Sequence, residues 1–147
     1  MAAMFYEDFS EGQQFRTGAR TITEADIVNF AGISGDFNPL HMDETFGKTT
    51  PFGRRIAHGL LVLSISSGLS QSMGILTGTT IAFLGLEWRF VKPVFINDTV
   101  RLNLSVADLR ETSKPDRGII VFDCEVVNQE GAVVQEGKRT LMVRRRG

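Results

Sequence analysis

Asp36, Asn38 and His41 fall within six residues, in the run Ile33-Ser-Gly-Asp-Phe-Asn-Pro-Leu-His-Met-Asp43. A carboxylate and an imidazole held close together form a general acid/base pair, able to take a proton from water and return one to a reacting atom. Each residue also has a plainer reading. Asp and Asn bond their own backbone in turns, and a lone histidine is more often a surface or satisfied core residue. The joint spacing around Asn38-Pro39 favours the catalytic reading. Gly35 loosens the backbone, Pro39 removes a donor, and Asn38 before proline is biased towards extended geometry. These residues predict a tight, fixed loop, not a continuous helix, with Asp36 and His41 on a common side.

The flanking elements must hold that loop. Residues 14–21 read as a short strand after an irregular lead-in at 5–11. Thr23 is a good N-cap, with Glu24 and Asp26 in the first turn, Ile27, Phe30 and Ala31 at helical spacing, and Ser34-Gly35 as the stop. Asp43 suits the cap of a short turn through Phe46, and 48–55 reads as a loop. Ile56-Ala-His-Gly59 opens an apolar run through Leu69 that reads as a buried helix ending at Met73-Gly74.

From Thr79 the period changes to two. Leu84, Leu86, Trp88 and Phe90 form one inward row. Val100, Leu102, Leu104 and Val106 form the next, and Ile120, Phe122, Cys124 and Val126 a third. A last strand covers 132–143. The pattern predicts an α+β layer, one buried helix against a curved antiparallel sheet of four long strands in meander. A free sheet edge invites pairing with a second copy, so a symmetric homodimer is expected.

The chain has 147 residues, enough for a single domain over 1–147 with a substantial core. Its formal net charge of −1 provides no field to attract nucleic acid or an anionic membrane. The one cysteine, Cys124, leaves no internal disulfide and no multi-cysteine metal site, and points to a reducing, cytoplasmic setting. No signal peptide is visible, and the most apolar segment, 59–69, is too short and too polar to span a bilayer.

Ser34-Gly-Asp-Phe-Asn-Pro-Leu-His41, followed by Ala57-His-Gly59 opening an apolar helix, resembles the hydratase motif of MaoC-like (R)-specific enoyl-CoA hydratases. The resemblance covers nearly the whole chain. It implies a hot-dog fold, a long central helix wrapped by a curved antiparallel sheet. It implies Asp36 and His41 as the dyad that holds and activates water, and Asn38 as a support for their loop. It implies that the Gly59 backbone N–H meets the thioester oxygen and that Ser67 is a hydroxyl near the dyad. The substrate implied is a 2-trans-enoyl thioester of coenzyme A, or the (R)-3-hydroxyacyl thioester in reverse, with no metal or redox cofactor.

Arg54 and Arg55, between the dyad and the helix start, are candidate substrate contacts. So is His58 beside the oxyanion position, although its plainer reading is a hydrogen bond near the helix start. Met73, Ile75 and Leu76 are candidates for the far end of an acyl tunnel, and Phe46 and Phe52 for its mouth. Several rival activities stay open. One is a dehydratase of branched, dicarboxylic or carrier-bound 3-hydroxyacyl thioesters. Another is an acyl-CoA thioesterase, and a third is a non-catalytic acyl-CoA binding module.

Overall fold

In β4 (Thr99–Glu111) the apolar residues Val100, Leu102, Leu104 and Val106 alternate with polar ones, and all four are buried. The same period runs through Ile120, Phe122, Cys124 and Val126 of β5 (Arg117–Val127). Side chains two apart share a sheet face, so the two rows form one apolar surface. The strands pair antiparallel with Leu104 opposite Cys124, and β5 pairs antiparallel with β6 (Val133–Arg144). The computed structural model describes residues 2–147 and lays α4 (Gly59–Ser72) over this surface. Leu61, Val62 and Ile65 of α4 join Leu102, Leu104 and Phe122 in one core. This is the expected α+β hot-dog arrangement.

The sheet departs from a simple meander. Its order places β3 (Thr80–Phe90) beside β6, at the edge, not beside β4. The connection after β3 carries the chain across to the far side. There Val94 accepts the Ala57 N–H at 2.7 Å, and Asn97 turns the chain at a positive φ of 73°. Because β3 is an edge, its expected inward row is only partly covered. Trp88 is half-buried, while Leu84, Leu86 and Phe90 are exposed. The expected strand at 14–21 is interrupted. β1 (Gln14–Arg16) and β2 (Arg20–Thr21) pair with β4 separately. The lead-in contains one 3-10 turn at Tyr6–Asp8, whose Tyr6 enters the core with Phe9.

α1 (Glu24–Ser34) starts and stops where its caps dictate. The Asp26 N–H donates to the Thr23 hydroxyl, and the Thr23 N–H donates to the Asp26 carboxylate. Two orphan donors are thereby satisfied reciprocally. Gly35 ends the helix in the left-handed region, φ 77°, which only glycine adopts at little cost. Among the described residues no helix is long and apolar enough to cross a membrane.

Candidate active site

The polar run is a chain of small, local caps. The Ser34 hydroxyl donates back to the Phe30 carbonyl and accepts the Asp36 N–H. The Asp36 carboxylate accepts the Asn38 N–H at 3.2 Å, and the Asn38 side chain accepts the Leu40 N–H at 3.0 Å. Asn38 therefore caps α2 (Pro39–Met42), with Pro39 at the first helical position, where its missing N–H costs nothing. Asp43 caps α3 (Glu44–Gly47) in turn, as its spacing predicts. Asn38 supports the loop through its backbone and makes no direct bond to His41's ring.

α2 turns His41 inwards. It is 8% exposed, and its Nδ1 lies 2.8 Å from the Ile56 carbonyl oxygen. A carbonyl only accepts, so Nδ1 carries the proton and Nε2 presents a lone pair. That Nε2 lies 4.0 Å from Oδ2 of Asp36, whose side chain is half exposed. The gap is too long for a direct hydrogen bond and is of a length that one water at about 2.8 Å from both atoms would bridge. Burial holds the His41 imidazole below its ordinary 6.5 and outweighs the bond to Ile56, which acts in the opposite sense. His41 is thus neutral at neutral pH.

His58 is not a substrate contact in this geometry. It is 2% exposed, and its Nε2 donates to the Asp36 backbone carbonyl at 2.9 Å. Its ring also stacks on His41 with centroids 3.9 Å apart. His58 anchors the loop and backs the dyad.

Asp36, His41 and His58 each offer a ligand atom, all within 4.8 Å of one another. A metal-bound imidazole nitrogen sits about 2.0–2.1 Å from its ion, in the plane of the ring. The two rings are stacked, with planes only 27° from parallel, so their planes do not converge on a shared point nearby. The arrangement suits a water between Asp36 and His41 better than an ion held by all three.

Gly59 opens α4 directly after His58. Its N–H makes no backbone hydrogen bond among the described residues. Orphan donors at a helix start carry partial positive charge and attract developing negative charge. A Cβ at Gly59 would lie 2.6 Å from the Phe90 ring, so any side chain there requires that exposed ring to move. The Gly59 carbonyl accepts from the Gln135 side chain at 3.0 Å, and Gln135 accepts the Trp88 indole N–H at 2.9 Å. Gly59, Phe52, Leu60, Phe90, Lys92 and Gln135 are among the residues around an open cavity of about 660 Å³. A larger hollow, about 730 Å³, lies on the sheet face turned away from α4, among Arg16, Asn103, Asp123 and Glu125; neither Asp36 nor His41 lines either cavity.

The other expected site residues separate from this group. Arg55 is bound to Glu24 at 2.7 Å and Glu44 at 2.8 Å, tying α1 to α3. Arg54 is exposed, with its guanidinium 3.8 Å above the Phe95 ring. Lys92, not Arg54 or Arg55, is the cation lining the cavity. Ser67 stands two turns along α4 from Gly59, about 12 Å away. It is exposed and lines a different, smaller cavity with Ile75 and Leu76. Phe52 lines the 660 Å³ cavity that Gly59 also lines. Sequence reasoning missed Gln135 and Phe90 at Gly59. The available signal was a polar Gln in the inward register of β6.

The MaoC like domain family matches residues 8–122. The chain is 38% identical to an (R)-specific enoyl-CoA hydratase of Rhodospirillum rubrum, over 97% of this chain and 94% of that protein. A solved structure described as a monoamine oxidase regulatory protein of Archaeoglobus fulgidus superposes with a TM-score of 0.92 at 34% identity, covering 100% of this chain and 98% of that one. The (R)-hydratase of A. caviae involved in PHA biosynthesis superposes with a TM-score of 0.77 at 35% identity, covering 92% and 97%.

Proposed function

The chain belongs to the MaoC-like family of hydratases and dehydratases, and from that membership and the Asp36–His41 geometry we propose that it adds water reversibly to 2-trans-enoyl-CoA to give (R)-3-hydroxyacyl-CoA. The observation that carries this reading is the 4.0 Å spacing of Asp36 Oδ2 and His41 Nε2.

In the hydration direction the pair holds one water. The dyad accepts a proton as the water oxygen bonds to C3, and the C2–C3 π electrons move towards the thioester oxygen. The Gly59 N–H stabilises that oxyanion, an effect worth roughly 3 kcal/mol per donor in other enzymes. Return of one proton from the dyad to C2 completes the addition, so atoms and charge balance. Asp36 and His41 interact closely, so the protons belong to the pair and not to one residue. No metal or redox cofactor is needed for these steps.

A homodimer completes this reading. β3 is an edge strand of 11 residues that exposes Phe83, Leu84, Leu86 and Phe90. An unprotected apolar edge of this length favours pairing with another copy.

The test is loss of the conjugated enoyl-thioester absorbance of crotonyl-CoA, with Asp36→Asn beside the wild type. Asn keeps an oxygen for the Asn38 N–H but cannot act as a base, so turnover should fall by roughly 10²–10⁴-fold with the fold intact. Release of free thiol instead would identify a thioesterase. Near-wild-type hydration by Asp36→Asn would remove the carboxylate from the mechanism.

A further inference from the structure

Arg139 is 4% exposed, yet no carboxylate among the described residues pairs with it. Its only side-chain hydrogen bond among them is to the Ser66 hydroxyl, and its Nε is buried without a partner. The Trp88 ring lies 5.2 Å from the guanidinium carbon. Cys124 is close, but burial pushes its thiol up to about 11, so it is uncharged at neutral pH and offers no counter-ion. A buried charge without a partner is strongly unfavourable. An apolar side chain would pack here at lower cost, so the arginine needs an explanation outside packing.

Its position supplies one. Gln135 and Arg139 are four apart on β6 and share a face, while Gly59 and Ser66 are seven apart on α4 and share a face. Gln135 bonds Gly59, and Arg139 bonds Ser66. The two rungs set Arg139 about 10 Å along α4 from the Gly59 N–H. At that point a second cavity, about 150 Å³, is lined by Arg139 together with Ser67, Ser70, Gln71, Thr80 and Phe83. That volume suits the end of a chain; Ile75, Leu76, Leu104, Phe122 and Leu141 complete its wall, so the buried guanidinium is a charged group in a mostly apolar end pocket.

We propose that Arg139 and the serine face of α4 form a subsite for the distal carboxylate of an ω-carboxyl acyl thioester. The proposal rests on the acyl-CoA reading of the Gly59 site and narrows its substrate class. Planar guanidinium matches a carboxylate with paired, charge-assisted hydrogen bonds, and the bond to Ser66 is the only one among the described residues that engages it. Ser67 and Ser70 line the same cavity and add hydroxyl donors.

The test compares unreactive ligands that differ only at the far end, so that binding is read apart from catalysis. Octanoyl-CoA is titrated against suberoyl-CoA, and hexanoyl-CoA against adipoyl-CoA for a shorter reach. The wild type should bind the acid of at least one pair on the order of tenfold more tightly. Arg139→Met should erase that ratio, and Arg139→Lys should keep part of it. Equal affinity within both pairs for the wild type overturns the subsite without any variant, and so does an acid preference that survives Arg139→Met. Crotonyl-CoA turnover is followed separately. Its absence would count against the hydratase reading, while the ratio still decides the role of Arg139.

Discussion

The His41 ring lies on the His58 ring at 3.9 Å between centroids, and His58 also donates to the Asp36 carbonyl, so one buried histidine touches both members of the dyad. His58→Ala should therefore lower kcat roughly a hundredfold, because small misplacements of reacting groups carry costs of that size. KM should change little, since His58 is covered by Phe30 and His41 and meets no open cavity. Steady-state kinetics on crotonyl-CoA decide the matter. A raised KM at unchanged kcat would make His58 a substrate contact after all.

The neutral state of His41 has a pH signature. Burial is the leading cause of its lowered pKa, and the nearby His58 adds to it. The unfolded chain then takes up a proton near the ordinary 6.5, before the folded chain does. Stability from this residue is fully present above 6.5 and is lost as the pH falls through the lower, folded value. Melting temperatures from pH 7.5 to 5 should fall more steeply for the wild type than for His41→Gln. Parallel curves would mean that His41 is not held neutral.

Gly59→Ala separates stability from catalysis. The added Cβ meets Phe90, a ring 54% exposed and free to swing outwards. Alanine favours helix over glycine, so the melting temperature should hold or rise slightly. The displaced ring and the methyl group crowd the N–H proposed to meet the thioester oxygen. Alanine keeps the N–H, so crowding should lower kcat/KM by at most the roughly 10²–10³-fold that outright loss of one oxyanion donor costs. A fully active, folded Gly59→Ala enzyme would move the oxyanion site elsewhere.

What the sequence shows and what it hides follow the range of the interactions. Thr23, Gly35, Asn38 and Asp43 act on residues no more than four away, so their caps are legible in order. The rows of β4 and β5 are legible too, because a period of two needs only one strand. The place of β3 beside β6 is not local: it depends on a crossover closed by Ala57 and Val94. The bond from His58 to Asp36 spans 22 positions, and that from Gln135 to Gly59 spans 76. No spacing rule reaches so far. The arginines misled for a related reason. Arg55 lies near the dyad in sequence, but Glu24 and Glu44 reach it first.

Arg55→Met tests that last point. The guanidinium is nearly covered, but both glutamates are more than half exposed, so solvent screens much of the attraction. The loss should be about 1 kcal/mol of stability, shrinking in high salt. Because Arg55 is committed to α1 and α3, the KM for crotonyl-CoA should stay within about twofold, less than the effect of losing one hydrogen bond. A tenfold rise in KM, with stability unchanged, would return Arg55 to the coenzyme A site.

The β3 edge provides the remaining prediction. Leu84 is 47% exposed on that edge, at the register shift between Phe83 and Gly85. Edge strands that stay unpaired are usually guarded by charge, and lysine is a frequent guard. Leu84→Lys places such a charge where a second copy would dock, at small cost to the isolated chain because the site is already half in solvent. Light scattering after size exclusion should give twice the chain mass for the wild type and a shift towards one chain mass for Leu84→Lys. The wild type running as a monomer at every concentration would remove the dimer from the proposal. A variant that remains dimeric would move the interface away from β3.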